Sequence, residues 1–385
     1  MIRMGVIGFG VQGKLYSGIL SGTAQGSWPV LPRPKGCVLT AVSTRDERCR
    51  ADIEAIDNVR YFSDWRDLIA SDVCDGVVIT VPHFAHHEIA VAALEAGKHV
   101  LCEKPMTIRG DHAEEILRAA ERSNGKLAVM FNQRSNPLLR RVKALVDSGE
   151  LGELRNSYYM TNNWWRPDNY YGSGWRGTWS GEGGGILVNQ ACHPLDLWIW
   201  LCGMPEAVFA SAREGAYRSI SVENDVMVMA RYSNGTRGIF TTCSHDLMGT
   251  DRLELAFDKG KVILEGNRKA TILRYAKTEQ GFGEIYDFRT FSGVLANTPG
   301  EIYTKEELTD HSVFADDYVR MFENFAEYAA GAVSAVASGA DGLAQVQLAN
   351  AIQLSAWTGR EVRLPCDTEE YNAHLARKIE EEKKR

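Results

Sequence analysis

The sequence predicts an α/β protein whose N-terminal part is a doubly wound parallel sheet. Short apolar segments alternate with helical patterns from residue 2 to residue 131, as in parallel sheets flanked by helices. A glycine-rich turn follows the first apolar segment directly, as in dinucleotide-binding folds. Since 385 residues exceed what one hydrophobic core usually holds, we expect two domains.

Composition and charge argue against several classes of partner and location. A net charge of -7 gives no general attraction for nucleic acid or anionic membranes. The strand pattern starts at Ile2, without a secretory signal, and no apolar run is long enough to span a bilayer, so a cytoplasmic location is expected. The eight cysteines form no Cys-x-x-Cys pair, which favours reduced thiols over disulfides or a zinc site.

The first strand-turn-helix unit carries a dinucleotide-binding fingerprint. A strand pattern at 2–7 precedes the turn, and a helical pattern at 14–20 follows it. Glycines permit a tight turn and the close approach of a pyrophosphate to the helix N-terminus. A structural turn without a ligand is the alternative. The candidate cofactor-binding residues of the turn are Gly8, Phe9, Gly10, Val11, Gln12 and Gly13.

The end of the second predicted strand, 37–42, bears on the choice of coenzyme. A carboxylate there would bind the ribose 2′-hydroxyl of NAD, whereas a hydroxyl followed by arginine suits the 2′-phosphate of NADP. Thr44 and Arg45 therefore favour NADP. Asp46 lies close by, and a merely solvated Arg45 is the alternative.

The later units of the predicted sheet repeat the alternation of strands and helices. Strand patterns occur at 75–81, 98–102 and 126–131, and helical patterns occur at 85–96 and 110–123. Ligands of such sheets lie at the carboxyl ends of the strands. The residues predicted to contact the cofactor at this edge are Pro82, His83, His86, Glu103, Lys104 and Asn132.

Two groups of residues at this edge have alternative interpretations. Lys104 ends a proline-punctuated strand, but it could be a surface lysine paired with Glu103. His83, His86 and His87 could suggest a metal site. Because no carboxylate or cysteine partner is evident for these histidines, we expect no metal.

The pattern changes after residue 154, where 158–179 is dense in aromatic residues and lacks regular periodicity. Aromatic faces stack on the C–H faces of sugars, and Asn and Arg side chains bind hydroxyls. We expect a substrate loop here, with an aromatic core beneath a long loop as the alternative. The candidate substrate-binding residues are Trp164, Trp165, Arg166, Tyr170, Trp175 and Arg176.

A glycine run at 183–185 leads to Asn189, His193 and Asp196. On one helix these three residues would share a face. Pro194 favours a first-turn position or a kink at this point. A neutral imidazole is a natural base for an alcohol proton, although a lone histidine is more often a satisfied interior residue.

These motifs, in this order, closely resemble the Gfo/Idh/MocA family of NAD(P)-dependent oxidoreductases, from the fingerprint to at least Gly260. The resemblance implies a Rossmann domain, 1–131, followed by an α/β domain, 132–385, with a large, mostly antiparallel sheet. That second domain would bind substrate and form a homodimer or homotetramer. Alternating segments between 207 and 275 read as a β-meander, and helical patterns follow at 314–330 and 343–358.

The same resemblance implies that Lys104 and His193 are catalytic and act on a sugar or polyol. Inositol dehydrogenase-like members carry Asp where this chain has Asn189. An amide can orient His193 but cannot stabilise its imidazolium as a carboxylate would. Asn189 and His193 are thus candidates for both catalysis and substrate binding.

The function predicted is an NAD(P)-dependent dehydrogenase or reductase that transfers hydride between the nicotinamide and a secondary alcohol or ketone of a sugar, polyol or glycoside. His193 would take the hydroxyl proton, and Lys104 would orient and polarise the oxygen. The alternatives are a redox-neutral glycosidase or lyase of the same fold and a non-catalytic NAD(P)-binding regulator.

Overall fold

The computed structural model describes residues 1–172, 174–313 and 315–384. Three residues covered by the predictions lie outside the described part: Ser173 in the aromatic segment, Phe314 at the start of a predicted helix and Arg385 at the end of the second predicted domain.

The N-terminal part is a six-stranded, wholly parallel sheet in the order β3-β2-β1-β4-β5-β6, which confirms the predicted Rossmann architecture. Its strands are β1 Ile2–Ile7, β2 Cys37–Ser43, β3 Arg60–Phe62, β4 Gly76–Ile79, β5 His99–Cys102 and β6 Leu127–Val129. The helices of this part are α1 Val11–Ser21, α2 Arg50–Glu54, α3 Trp65–Ala70, α4 His86–Glu95 and α5 Gly110–Arg122. The central strands are buried on both faces, which explains their continuous apolar sequences.

The remaining strands form a nine-stranded sheet in the order β14-β13-β12-β11-β7-β10-β9-β8-β15. They are β7 Leu154–Thr161, β8 Ala207–Glu214, β9 Glu223–Arg231, β10 Arg237–Cys243, β11 Asp251–Phe257, β12 Gly260–Glu265, β13 Lys269–Tyr275, β14 Tyr303–Thr309 and β15 Val362–Arg363. Within the described residues, β7 and β10 are the one parallel pair of this sheet. The predicted large, mostly antiparallel sheet is therefore confirmed.

Two details of the predicted second part are wrong. Residues 158–161 belong to β7 in the middle of the sheet rather than to a loop, and Tyr159 and Thr161 face the core while Tyr158 and Met160 face outward. The strands from 207 to 275 are not one continuous meander, since β7 inserts between β10 and β11.

Seven helices complete the described chain. They are α6 Pro137–Asp147, α7 Cys192–Cys202, α8 Glu279–Gly283, α9 Phe288–Asn297, α10 Asp316–Ala329, α11 Gly339–Thr358 and α12 Thr368–Glu382. Helix α10 returns to the first sheet, where Phe322 and Phe325 are part of its hydrophobic core. The domain division at residues 131 and 132 stays a prediction. No helix in the described ranges has the length and apolar character needed to cross a membrane.

The candidate site lies where the carboxyl edge of the parallel sheet meets the segment before α7. The amine Nζ of Lys104, after β5, donates a 3.0 Å hydrogen bond to the backbone oxygen of Asn189. His83, after β4, has Nδ1 at 3.2 Å from the backbone oxygen of Glu182. These two contacts bring the predicted cofactor edge and the predicted catalytic segment together.

Candidate active site

The three glycines of the fingerprint have different structural roles. Gly8 has a φ of +100°, and a Cβ on Gly13 would lie 2.0 Å from the backbone oxygen of Gly8. A Cβ on Gly10, in contrast, would meet no heavy atom within 4 Å. Gly8 and Gly13 therefore build the turn, while Gly10 leaves open space before α1. The uncapped N-terminus of α1 fits a pyrophosphate, which the backbone N–H groups of this turn would hold.

The side chains of the fingerprint residues point in different directions. Phe9 is buried in the first core with the Lys14 ammonium over its ring, so only its backbone is placed to face a ligand. Val11 is exposed on the first turn of α1. Gln12 hydrogen-bonds the side chain of Tyr318 in α10.

The end of β2 presents Arg45 rather than Asp46 as the available charged group. The Asp46 carboxylate accepts two hydrogen bonds of 2.8 Å from Arg48, which holds the pKa of that carboxyl low. The Thr44 hydroxyl accepts a 3.2 Å bond from the Asp46 backbone N–H. Among the described residues, the exposed Arg45 has no hydrogen-bond or ion-pair partner.

Lys104 is directed into the site and not toward the surface. The buried Glu103 carboxylate accepts hydrogen bonds from the Tyr16 hydroxyl and, at 3.0 Å, from the Lys104 backbone N–H. Burial raises the pKa of Glu103. Because the Lys104 ammonium bonds the Asn189 carbonyl instead, the alternative of a surface Lys104–Glu103 pair is wrong.

The histidines after β4 are buried supports of this edge. Both ring nitrogens of His86 lie on backbone carbonyls, 2.9 Å from Pro105 and 2.8 Å from Val81. The His83 ring meets the Trp175 ring edge-on at 5.5 Å. Burial lowers the pKa of both histidines. The described residues contain no group of three or more potential metal ligands.

His193 lies in the first turn of α7, as Pro194 indicated, but the predicted shared helical face is wrong. Helix α7 begins at Cys192, so Asn189 precedes it, and the Asp196 carboxylate binds the buried Arg134 guanidinium at 2.7 and 2.8 Å. The His193 Nδ1 atom is buried without a hydrogen-bond partner in the described protein. Burial and the nearby Lys104 charge hold the pKa of His193 well below its usual range.

Asn132 opens a 3₁₀ turn, Asn132–Ser135, that follows β6 at the same edge of the parallel sheet. Its amide oxygen is buried and, among the described residues, has no hydrogen-bond partner. An unpaired acceptor at the predicted cofactor edge fits a ligand that donates a hydrogen bond there.

The aromatic segment supplies a wall next to Asn189. The Tyr170 hydroxyl oxygen accepts 3.1 Å hydrogen bonds from the side-chain amides of Asn189 and Gln190. The guanidinium groups of Arg166 and Arg176 lie over the Tyr170 ring, at 5.2 and 4.7 Å. Four of the candidate substrate residues are thus joined at one place.

The two tryptophans at the start of this segment are placed differently. Trp164 donates a 2.9 Å bond to the Thr161 hydroxyl and packs against the second core. Trp165 is 39% exposed at the surface. Trp164 joins the wall through the Arg166 guanidinium, 5.8 Å from its ring centroid, and Trp175 joins it through Arg176 and also meets His83.

Family models match most of this chain. Residues 2–131 match the oxidoreductase family with an NAD-binding Rossmann fold, and residues 139–263 match the GFO/IDH/MocA C-terminal domain. The chain belongs to the Gfo/Idh/MocA family. The predicted resemblance is confirmed, and the chain is an NAD(P)-dependent oxidoreductase, as expected.

Relatives of this Gfo/Idh/MocA chain include sugar and polyol dehydrogenases. Levoglucosan dehydrogenase of Pseudarthrobacter phenanthrenivorans is 27% identical over 74% of this chain and 80% of its own. Inositol 2-dehydrogenase of Rhizobium meliloti is 24% identical over 94% of this chain and 99% of its own.

Solved structures support the fold. Levoglucosan dehydrogenase in complex with NADH and levoglucosan superposes with a TM-score of 0.76 at 22% identity, over 94% of this chain and 99% of that one. The WlbA dehydrogenase of Bordetella pertussis, in complex with NADH and UDP-GlcNAcA, gives 0.74 at 24% identity, over 95% and 99%.

One residue of the candidate site, Glu182, was missed from the sequence. Its carboxylate is 2% exposed and accepts hydrogen bonds from the Asn189 amide and, at 2.7 Å, from the Gly177 N–H. Burial raises the pKa of this carboxyl to about 7. The sequence signal that could have identified Glu182 is its position as a charged residue directly before the glycine run at 183–185.

The C-terminal helix fixes the same segment from outside the site. The Glu382 carboxylate at the end of α12 accepts backbone hydrogen bonds from Trp179, at 2.7 Å, and from Ser180, at 2.9 Å. The loop that carries Glu182 is therefore tied at its start to a helix distant in sequence.

Proposed function

We propose that this protein is an NAD(P)-dependent dehydrogenase or reductase acting on a secondary alcohol or ketone of a sugar, polyol or glycoside. The observation that carries the proposal is the contact of the Lys104 ammonium with Asn189, close to a His193 ring without an internal partner for Nδ1. The named activities of relatives support the substrate class.

The residues of the candidate site would have separate roles in the reaction. A bound nicotinamide coenzyme would supply the hydride acceptor for the carbinol carbon, or the hydride donor for the ketone. The Lys104 ammonium would orient the alcohol oxygen and stabilise negative charge that develops on it. The His193 imidazole, kept neutral by its surroundings, would take the hydroxyl proton. The wall formed by Tyr170, Arg166 and Arg176 would bind the remaining hydroxyl groups and the C–H faces of the sugar.

The test is a screen of sugars, polyols and glycosides with both coenzymes, following the absorbance of the reduced nicotinamide. With the best substrate, His193→Ala and Lys104→Ala should each lower kcat by roughly 100-fold or more. His193→Ala should leave the coenzyme Kd unchanged. Lys143→Ala, which removes a surface ion pair with Asp147, is the matched control. Wild-type turnover by the double variant would refute the assignment.

We also propose that NADP is the preferred coenzyme. Arg45 is exposed and unengaged in the described structure, while the competing Asp46 carboxylate is occupied by Arg48. Titration of the protein with each coenzyme, followed by calorimetry, should give the lower Kd for NADP. The reverse order would contradict the proposal.

A homodimer or homotetramer is proposed from the open face of the nine-stranded sheet. The face opposite α7 and α11 carries large apolar side chains that are 38–62% exposed. They are Tyr158, Met160, Phe209, Met227, Met229 and Ile239. A continuous exposed apolar patch on a sheet is typical of an interaction surface.

A further inference from the structure

The Asn189 side chain is held by two groups whose hydrogen-bonding capacities differ. Its amide nitrogen lies on the Glu182 carboxylate and, at 3.1 Å, on the Tyr170 hydroxyl. An ionised carboxylate can only accept hydrogen bonds. When Glu182 is ionised, the NH₂ end of Asn189 must therefore face it, and both hydrogens of that group are used.

The opposite end of the Asn189 amide is left for a ligand. Within the described residues, no donor binds its Oδ1 atom, while its backbone oxygen receives the Lys104 ammonium. The amide oxygen is thus an acceptor held next to the residue predicted to orient the alcohol.

We propose that Glu182 is a positioning residue, which fixes the Asn189 amide so that its oxygen accepts a hydrogen bond from a substrate hydroxyl. The inference rests on the proposed function, because it assigns Asn189 a substrate hydroxyl as its partner. Glu182 also supplies the negative charge that an asparagine at position 189 lacks.

The surroundings of Glu182 support this role. Its second carboxylate oxygen is held by the Gly177 N–H at 2.7 Å, so the carboxylate cannot rotate away from Asn189 without losing a buried bond. The charged and titratable groups that face it are Arg176, Lys104, Tyr171 and Cys192. Burial raises the pKa of Glu182 to about 7, so the carboxylate is ionised at alkaline pH.

Each single substitution should disrupt the hydrogen bond between Glu182 and Asn189, because Glu182→Gln brings two donors together and Asn189→Asp brings two acceptors together. In Glu182→Gln, the amide oxygen of the introduced glutamine can accept the hydrogen bond from the Gly177 N–H only if its NH₂ group faces Asn189. Two NH₂ groups then meet, and Asn189 must flip, which presents a donor where the substrate needs an acceptor. In Asn189→Asp, two carboxylates share one buried site, and at alkaline pH they repel each other.

The double variant Glu182→Gln with Asn189→Asp reverses the polarity of the hydrogen bond between positions 182 and 189 and keeps the bond from Gly177. The introduced glutamine accepts from Gly177 and donates to the introduced aspartate, whose carboxylate also presents an acceptor to the substrate. At about pH 9, above the pKa of about 7, each single variant should lose roughly tenfold or more in kcat/KM. The double variant should return to within about threefold of the wild type.

A second buried carboxylate provides the matched control. Glu223 accepts hydrogen bonds from the Gly185 and Leu187 N–H groups of the same turn, at 2.9 and 3.3 Å, and has no hydrogen bond to Asn189. Glu223→Gln combined with Asn189→Asp should give no recovery. A Glu182/Asn189 double variant as impaired as the worse single variant would overturn the proposal.

A spectroscopic measurement decides the orientation without any turnover. In coenzyme-free protein labelled with ¹⁵N-asparagine, the Asn189 amide signals are those missing from Asn189→Asp. We expect one amide proton to shift as Glu182 titrates, and this shift to vanish in Glu182→Gln. If no sugar were oxidised but the shift appeared, the proposed function would fail while the Glu182 contact stood. Absence of the shift in the wild type would overturn the contact itself.

Discussion

Gly10 and Gly13 occupy the same fingerprint, yet a methyl group would have opposite consequences at the two positions. Gly10→Ala adds a Cβ to open space at an extended φ of -77°, so folding should change by less than about 1 kcal/mol. The methyl group would fill the position expected for the pyrophosphate, and coenzyme Kd should rise more than about tenfold. Calorimetric titration of the folded variant checks this.

Gly13→Ala is the companion variant. Its Cβ would lie 2.0 Å from the Gly8 oxygen, so the β1–α1 turn must open. We expect a loss of about 3 kcal/mol in the free energy of unfolding, measured by urea titration without coenzyme. Equal effects of the two substitutions on stability would contradict the roles assigned to these glycines.

Coenzyme choice is also decided at single residues. Arg45→Ala should weaken NADP binding roughly tenfold and leave NAD binding unchanged, since only NADP carries the 2′-phosphate. Arg122→Ala is the control. Arg122 is exposed at the end of α5, at the edge of the parallel sheet opposite the candidate cofactor site. If Arg45→Ala weakened the binding of both coenzymes equally, this would show that Arg45 does not bind the 2′-phosphate.

At the residue scale, the predictions depended on motifs whose residues lie close together in the sequence. Lys104 and His193 were predicted to be catalytic because the motifs around them resemble those of the Gfo/Idh/MocA family; Pro105 and Pro194 by themselves indicated only a strand end and a helix start. Glu182 was missed because nothing in the sequence places it on Asn189, seven residues later; that contact depends on the fold of the glycine run. The pairing of Asp196 with Arg134 was not predicted because the two residues are distant in sequence.

At the scale of elements, a buried ion cluster joins three parts of the fold. Arg134, after β6, binds Asp196 of α7 and, at 2.8 Å, Asp341 of α11. Arg134 and Asp196 are 4% and 1% exposed. The cluster fixes α7, and therefore His193, relative to the cofactor edge.

Removal of the Arg134 charge should destabilise this junction. Arg134→Met leaves the Asp196 carboxylate buried without a partner and should cost about 3–5 kcal/mol, seen as a lower urea midpoint. Arg134→Met with Asp196→Leu should recover most of the loss, because no buried charge remains unpaired. Arg141→Ala, which breaks an exposed pair with Glu306, is the control and should cost less than about 1 kcal/mol. A loss below that level for Arg134→Met would contradict the assignment.

The elements themselves were predictable where their patterns were regular. Five of the six parallel strands were predicted, because β1, β4 and β5 are largely apolar runs bounded by turn residues, whereas the three-residue β3 was missed. Strand β7 was misassigned in part because its aromatic residues face both sides of the sheet: Tyr159 is buried while Tyr158 is 45% exposed. The placement of β7 between β10 and β11 is a long-range pairing that local pattern does not encode.

At the scale of the whole molecule, the two faces of the nine-stranded sheet have different environments. One face packs on α7 and α11, and the other presents apolar side chains to solvent. Met227 and Met229, on central strand β9, are 62% and 59% exposed. Strand alternation explains why these positions project away from the core while Val226 and Val228 are buried.

Introducing charge on this face tests the proposed assembly. In a symmetric interface, Met227→Glu with Met229→Glu would place four carboxylates in one buried patch, so the oligomer should dissociate. Both positions are exposed in the single chain, and the protomer should keep its thermal midpoint and coenzyme affinity. Light scattering after gel filtration should show a multimer of the 42.8 kDa chain for the wild type and a monomer for the variant. Phe288→Glu, 83% exposed on α9, should stay assembled, and a monomeric wild type would contradict the proposal outright.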